Sequence, residues 1–282
     1  MTYREARDKV SGMLAGAGVE NETAECWFRM ELSCGADRSC YLLHQQEEMP
    51  EDELQAYLEL AEKRCQRIPL QHLTGEQEFM GLPFFVNEHV LIPRQDTEIL
   101  VEKALQILKN MEESPRVMDL CTGSGCIAVS IKAYQKNAVV EGFDISREAL
   151  NVAERNASDN QTEVKFVQSD LFSEAEGRYD MIVSNPPYIP SAVIPTLMPE
   201  VRDHEPVGAL DGMEDGLYFY RKIVAESGAY LKPGGYLLFE IGAEQGAAVS
   251  GLMREYEFEE IEVIPDLAGL DRVVKGRRRE NV

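Results

Sequence analysis

From Arg116 onward, short apolar runs alternate with stretches of helical periodicity, and this alternation limits the chain to few architectures. The runs expected to form strands are Val117–Leu120, Val139–Phe143, Val164–Val167, Met181–Ser184, Tyr236–Ile241, Phe258–Ile264 and Arg272–Lys275. Helices are expected between them, for example over Glu148–Asn156 and Gly216–Tyr230. Parallel neighbours cannot be joined by a tight turn; they need a crossover, and a helix commonly supplies it. The pattern therefore predicts an α/β fold with a seven-stranded, mostly parallel, Rossmann-like sheet. No internal repeat and no low-complexity tract interrupts it.

The chain before Arg116 has two other textures. Residues 1–75 read as a small helical bundle. In Glu53 to Cys65, the residues Leu54, Tyr57, Leu58 and Ala61 share a face at helical spacing, and in Ala24 to Leu32 the residues Ala24, Trp27, Phe28 and Leu32 do the same. This stretch contains no catalytic constellation; it packs its own core and can also serve as a docking surface. Residues 76–92 gather Phe79, Phe84, Phe85, Val86, Val90, Leu91 and Ile92 around Gly81 and Asn87, the pattern of a β-hairpin linker. Residues 93–282 form the large domain. Its first helix carries Ile99, Leu100, Ala104, Leu105 and Leu108 on one face, with Asp96 or Thr97 as the expected cap.

Composition narrows the function classes. With 282 residues, 44% of them hydrophobic, the chain can bury a large core without disulfides or metal. Its net charge of −22 repels polyphosphate, which argues against direct nucleic-acid binding. Lys275, Arg277, Arg278 and Arg279 are left as either a local basic patch or a solvated end. The six cysteines form no C-x-x-C pair and only four histidines are present, so no metal site is expected and the thiols read as reduced. No secretory h-region follows Met1, and no apolar stretch approaches the roughly 20 residues of a membrane span, so a cytoplasmic protein is expected.

The candidate ligand site begins at Val117–Ala128, which reads as strand, tight loop and helix. In the loop Cys121-Thr122-Gly123-Ser124-Gly125, the two glycines let the backbone turn sharply and approach a ligand, and the helix N-terminus offers free N–H groups. Asp144 lies 19 positions past Gly125 at the end of the next strand, where a carboxylate faces ribose hydroxyls in doubly wound folds. Asp170 follows the third strand on the same edge and is read either as a contact to an adenine amino group or as a cap of the next turn. These features point to a nucleoside ligand, although the glycines also suit a plain turn. They do not separate NAD from S-adenosylmethionine.

Asn185-Pro186-Pro187-Tyr188 decides between them. Two successive prolines fix φ and remove two N–H donors, leaving the Asn185 side-chain oxygen and the Pro186 carbonyl as acceptors. Such a loop can hold both hydrogens of one NH₂ group while Tyr188 covers its planar face. A poorly nucleophilic amide nitrogen becomes positive as it takes a methyl group from a sulfonium, so acceptors placed here favour the transition state. Asn185 can also touch the methionine part of the cofactor. Two rival readings use the same residues: an adenine-N6 nucleic-acid methyltransferase acting on a flipped base, and an NAD-dependent oxidoreductase, which leaves Asn185–Tyr188 without a role. A binding module that has kept the fold without the activity is the third.

Over nearly its whole length the chain resembles the release factor glutamine methyltransferases, the PrmC/HemK family. The matching stretches are Arg67–Gly75, Leu91–Glu98, Asp119–Gly125, Asn185–Tyr188, Phe239–Gly242 and Asp266–Arg272. The resemblance implies a helical N-terminal domain, a hairpin and a class I S-adenosylmethionine-dependent methyltransferase domain. It implies methylation of the glutamine N5 in the Gly-Gly-Gln motif of bacterial peptide chain release factors, docked in part by the N-terminal bundle. By position, Cys121 to Gly125 would cradle the cofactor, Asp144 would hold its ribose, Leu171 would lie beside its adenine, and Asn185 to Tyr188 would hold the glutamine. A monomer is expected. Gln95 stands where many relatives have proline, Leu171 where some have tryptophan, and Asp211–Gly216 replaces a more glycine-rich turn. Arg94 is read as near the cofactor edge or as an ion-pair partner, and Glu240 as a buried structural acid.

Overall fold

The structure is a computed structural model that describes residues 1–20, 25–26, 30–31, 35, 37–111 and 114–280. It divides into two compact units, Met1–Gly75 with Met198–His204, and Glu76–Leu197 with Glu205–Val282. No described helix is long and apolar enough to cross a membrane.

The first unit is helical, with Tyr3–Gly16, Arg38–His44, Glu51–Cys65 and Leu70–Thr74 as its main segments. Tyr3–Gly16 begins with a reciprocal cap: the Glu5 N–H donates to the Thr2 hydroxyl, and the Thr2 N–H donates to the Glu5 carboxylate. Ala6, Val10 and Leu14 on this helix are buried with Tyr57 and Ala61 on Glu51–Cys65, while Leu54 and Leu58 pack at the margin. The face expected over Ala24, Trp27, Phe28 and Leu32 lies outside the described residues. Arg64, only 5% exposed, pairs with Glu25 at 2.9 Å and with Glu200 at 2.7 Å. Arg67 donates to Glu200 at 2.6 Å. Burial pushes the Glu200 carboxyl up, but the Arg67 and Arg64 guanidinium groups hold it down to about 2. This pairing brings the short helix Pro199–Arg202 into the unit although it lies far away in sequence.

In the second unit, β1 (Glu76–Phe79) and β2 (Leu82–Phe85) form an antiparallel hairpin. Its turn residues Met80 and Gly81 have φ of 53° and 70°, the left-handed pair of a two-residue hairpin turn. Phe79 and Phe84 sink into the main core of this unit. Asn156 clamps the hairpin by accepting from the Phe85 N–H at 2.7 Å and donating to the Phe85 carbonyl at 3.0 Å.

The large sheet has seven strands: β3 (Arg116–Leu120), β4 (Val139–Asp144), β5 (Val164–Gln168), β6 (Tyr179–Ser184), β7 (Leu231–Glu240), β8 (Phe258–Pro265) and β9 (Asp271–Arg278). Their order is β5-β4-β3-β6-β7-β9-β8. The pairs among β3 to β7 are parallel, and β9 runs antiparallel to both β7 and β8. Alternating side chains feed two cores, as the pleat requires. Val117, Met181, Val183 and Leu238 meet the helices Glu98–Leu108 and Cys126–Tyr134, whereas Met118, Ile182, Leu237 and Phe239 meet Tyr218–Tyr230 and Gly246–Glu255. Strand order reverses at β3, so β3, β4, β5 and β6 present their C-terminal ends at one edge, where open α/β sheets bind ligands.

Three local expectations are corrected. Neither Asp96 nor Thr97 caps the first helix: Gln95–Thr97 forms a 3₁₀ turn running straight into Glu98–Leu108, and the Thr97 side chain makes no capping bond. Thr97 is buried, which removes its hydroxyl from the helix end. The helix expected from Gly216 begins at Tyr218, because Gly216 takes φ 73°. The basic residues Lys275, Arg277 and Arg278 lie on β9, inside the sheet order, with Arg279 just beyond it. Lys275 pairs with Glu262, Arg277 with Glu260 and Arg279 with Glu257, while Arg278 donates to the Leu231 carbonyl. Lys275, Arg277 and Arg278 are thus neither an open patch nor a solvated end, while Arg279 stays exposed beyond the strand.

Candidate active site

At the C-terminal edge, β3 runs into Cys121 (φ 60°), Gly123 (φ 54°) and Gly125 (φ 78°), three left-handed positions in five residues. The two glycines serve different ends. A Cβ on Gly125 would lie 2.9 Å from Ala153 Cβ and 3.3 Å from Phe166 Cζ, so this glycine allows Cys126–Tyr134 to pack closely. A Cβ on Gly123 would meet nothing within 4 Å, since this glycine faces the open cavity. The loop is tied down from both sides. The Thr122 N–H donates to the Phe143 carbonyl at 3.0 Å, and the Thr122 hydroxyl to Asp119 at 2.5 Å. Burial pushes Asp119 up to about 7, against the bonds from Thr122 and the Ala128 N–H.

Asp144 receives the Gly123 N–H on one oxygen at 2.8 Å and the Ser146 N–H on the other at 2.9 Å. Burial raises its pKa while these backbone donors lower it. Each oxygen keeps a second lone pair for a ligand. Asp170 lines the same cavity and is exposed, and its carbonyl, not its side chain, caps the next turn by accepting from Ser173 N–H at 3.1 Å. Leu171 adopts φ 50°, held there by the Ser169 hydroxyl, which donates to its carbonyl at 2.7 Å. Cys121 and Cys126 also face the cavity, and burial raises both thiols far above neutrality, Cys126 to about 12, so neither is a nucleophile.

The cavity has a volume of about 420 Å³. Its far wall is the segment Pro206–Ala209 with Asp211 and Met213, and Met213 is again left-handed at φ 68°. Arg94 fixes this wall by donating to both oxygens of Glu205, at 2.7 and 2.8 Å. Glu205 is buried, which raises its pKa against the pull of Arg94. Arg94 is thus both a cavity residue and an ion-pair partner.

Asn185 and Pro187 line the cavity, whereas Pro186 and Tyr188 sit beside it. Asn185 Nδ2 lies 3.5 Å from the Thr97 hydroxyl. Tyr188 directs its hydroxyl to Glu240 Oε1 at 3.4 Å, and its carbonyl accepts from Gln245 at 3.0 Å. A Cβ on Gly212 would lie 2.8 Å from the Tyr188 backbone, and one on Gly216 would overlap the Tyr188 carbonyl oxygen. The divergent Asp211–Gly216 turn therefore keeps glycine at both positions where the acceptor loop leaves no room. Burial pushes Glu240 up to about 7, against the Thr97 hydroxyl and the Arg272 charge. Thr97, Ser169, Glu205, Gln245 and Arg272 were not singled out as site residues in the sequence. Thr97 and Arg272 lie within the matched stretches Leu91–Glu98 and Asp266–Arg272, whereas Ser169, Glu205 and Gln245 lie outside all of them.

Comparison with known proteins agrees with this geometry. The Methyltransferase small domain family matches residues 96–196, and the PrmC N-terminal domain family matches residues 5–75. A release factor glutamine methyltransferase of Geobacter sulfurreducens is 42% identical over 98% of this chain and 96% of its own length. Another of that name, from Deinococcus radiodurans, is 39% identical over 99% of both chains. A solved methyltransferase from Pyrococcus furiosus shares the fold at 14% identity, with a TM-score of 0.54 over 78% of this chain and 99% of that one.

Proposed function

Because this chain belongs to the release factor glutamine methyltransferase family, we propose that it methylates the side-chain amide N5 of the glutamine in the Gly-Gly-Gln motif of bacterial peptide chain release factors. The observation that carries the reading is that Asn185 lines the same cavity as Gly123 and Asp144. An amide acceptor and a nucleoside cradle thus share one space.

S-adenosylmethionine is the methyl donor we assign, and when bound it supplies an electrophilic methyl on a sulfonium. The cavity suits its nucleoside part. Gly123 leaves open space where any other residue would place a Cβ, Asp144 has lone pairs left for two hydroxyls, and Leu171 offers an apolar wall. Asp170 is assigned to the adenine amino group and Cys121, Thr122, Ser124 and Gly125 to the cradle. S-adenosylhomocysteine, the donor without its methyl group, would be the co-product.

Asn185 Oδ1 and the Pro186 carbonyl accept the two N–H groups of the glutamine amide. They point its nitrogen into the cavity, and Pro187 and Tyr188 cover its plane. Methyl transfer would make the nitrogen positive and its N–H groups stronger donors to Asn185 Oδ1 and the Pro186 carbonyl. Hydrogen bonds to charged groups contribute about 1.5–3 kcal/mol, so these acceptors favour the transition state over the ground state. The cationic amide then gives up one proton to water, and no general base is needed beforehand.

The domain reading is that residues 1–75 dock the protein substrate, 76–92 connect, and 93–282 carry the chemistry. Release factors act in translation termination, so we assign the chain to the cytoplasm, acting as a monomer without direct nucleic-acid contact. The test is mass spectrometry of a purified release factor after incubation with this chain and S-adenosylmethionine. One added methyl localised to the Gly-Gly-Gln glutamine is expected. Methylation of bare DNA or RNA instead would replace the reading with adenine-N6 transfer.

A further inference from the structure

The acceptor loop is held from behind by a side chain that does not line the cavity. Gln245 stands at the start of the helix Gly246–Glu255, and its Oε1 accepts from the Gly242 N–H at 2.9 Å. Its Nε2 donates to the Tyr188 carbonyl at 3.0 Å and to the Gly216 carbonyl at 3.3 Å. A primary amide has two N–H donors, and here both go to backbone carbonyls. The orientation is therefore fixed. Turned over, the amide would set its oxygen against two carbonyl oxygens and its NH₂ against an N–H.

The three bonded groups belong to different parts of the site. Tyr188 closes the acceptor loop, Gly216 ends the turn whose Asp211 and Met213 form the far wall of the cavity, and Gly242 follows β7. The joint is packed as well as bonded. A Cβ on Gly242 would lie 3.1 Å from Gln245 Oε1, one on Gly216 2.8 Å from Gln245 Nε2, and one on Gly212 2.8 Å from the Tyr188 backbone. Three glycines thus clear the space in which this carboxamide meets Tyr188. Next to the joint, loop and wall are laced together. The Ile189 N–H donates to the Leu210 carbonyl at 3.0 Å, and the Gly212 N–H to the Ile189 carbonyl at 2.8 Å. A side chain serving only to start a helix would bond that helix's free N–H groups. Gln245 makes no such cap bond and reaches the loop and the wall instead.

Resting on the acceptor-loop reading above, we propose that Gln245 is a positioning residue for methyl transfer. Its carboxamide pins the Tyr188 end of the acceptor loop to the far wall, so that the Pro186 carbonyl and the Tyr188 ring stay aligned with Asn185 on the substrate amide. It acts only through the backbone it holds. The cradle Cys121–Gly125 is not among its hydrogen-bond partners, so the pin bears on the methyl acceptor and not on the donor.

The test uses three variants with release factor and S-adenosylmethionine as substrates. Gln245→Met keeps the length and loses every bond. Gln245→Glu keeps the acceptor for Gly242 but sets an oxygen against two carbonyls. Leu252→Ala loosens the same helix where it packs on the core, away from the joint. At a temperature where all are folded, Gln245→Met should lower kcat by about 10- to 100-fold, with S-adenosylmethionine affinity changed less than about 3-fold. Leu252→Ala should stay within about 3-fold of the unaltered chain. Gln245→Glu should be impaired at pH 8 and recover at least about 5-fold relative to the unaltered chain at pH 6, because a protonated carboxyl regains one donor. Unchanged kcat in Gln245→Met, an equal loss in Leu252→Ala, or a Gln245→Glu loss that ignores pH overturns the pin. Amide hydrogen exchange gives a further readout that needs no methyl acceptor. Exchange at Ile189, Gly212 and Gly242 should quicken at least about 10-fold in Gln245→Met and far less in Leu252→Ala. If the unaltered chain fails to methylate release factors, the acceptor reading falls and exchange alone decides, unchanged rates at these three amides overturning the pin.

Discussion

The loop Cys121–Gly125 has three left-handed backbone positions, whereas Asn185–Tyr188 has none. The first takes its form from its own backbone and from Asp144 at the next strand end, the second from side chains far off in sequence at Thr97, Glu240 and Gln245. On the proposed assignment, a cradle for a rigid nucleoside needs close approach and N–H groups, which glycines and a helix start provide locally. The proposed grip on one NH₂ group needs the Asn185 carboxamide held in place by neighbours distant in sequence, such as Thr97. The two loops should therefore fail differently.

The sharpest break is Asn185→Ala. It should lower kcat by about 10²- to 10³-fold while S-adenosylmethionine binding, measured by calorimetry, stays nearly unchanged. Loss of binding and turnover together would erase the division between the loops. Gly125→Ala should act on the fold instead. Its Cβ meets Ala153 Cβ at 2.9 Å at a φ of 78°, so a loss of roughly 2–3 kcal/mol in urea unfolding is expected. Gly123→Ala separates space from strain within the same loop. With nothing within 4 Å, it should cost roughly 1 kcal/mol of stability for its φ of 54°, yet weaken S-adenosylmethionine binding at least about 10-fold. If both variants lost only stability, the cavity-facing role of Gly123 would be wrong.

The smallest effect is read in pH. Asp119 beneath the glycine loop and Glu240 beneath the acceptor loop are both pushed up to about 7 by burial. Unfolded carboxyls titrate near 4, so the folded state binds more protons between about pH 4 and 7. Their contribution to stability is full below about pH 4 and is lost as pH rises through about 7. Raising pH from 6 to 7.5 should thus destabilise the unaltered chain relative to Asp119→Asn and to Glu240→Gln, by roughly 1 kcal/mol for each group. A difference in only one variant would show which loop sits on a strained acid.

The same division explains what was legible beforehand. All seven strands could be read from apolar runs, as could the glycine loop and Asp144, because a strand, a turn and a spacing are local facts. The Asn185–Tyr188 motif was legible in the same way. Its support was not. Thr97 looked like a helix cap, and only burial beneath the loop reveals its hydroxyl as a partner of Asn185. The basic residues from Lys275 to Arg279 gave no hint of the acids on β8 and after Arg254, since cross-strand pairs depend on register. Glu205 looked like one acid among many, and its value lies in closing the cavity wall against Arg94.

Strand β9 lies between β7 and β8 although β8 precedes it in the chain. β8 reaches the sheet only through β9, the strand that follows it in the chain and forms a hairpin with it, and of the two β9 alone pairs with β7. Arg272, which faces Glu240, rides on that hairpin. A partly assembled chain can thus have the nucleoside cradle complete while the acceptor side still lacks its last brace.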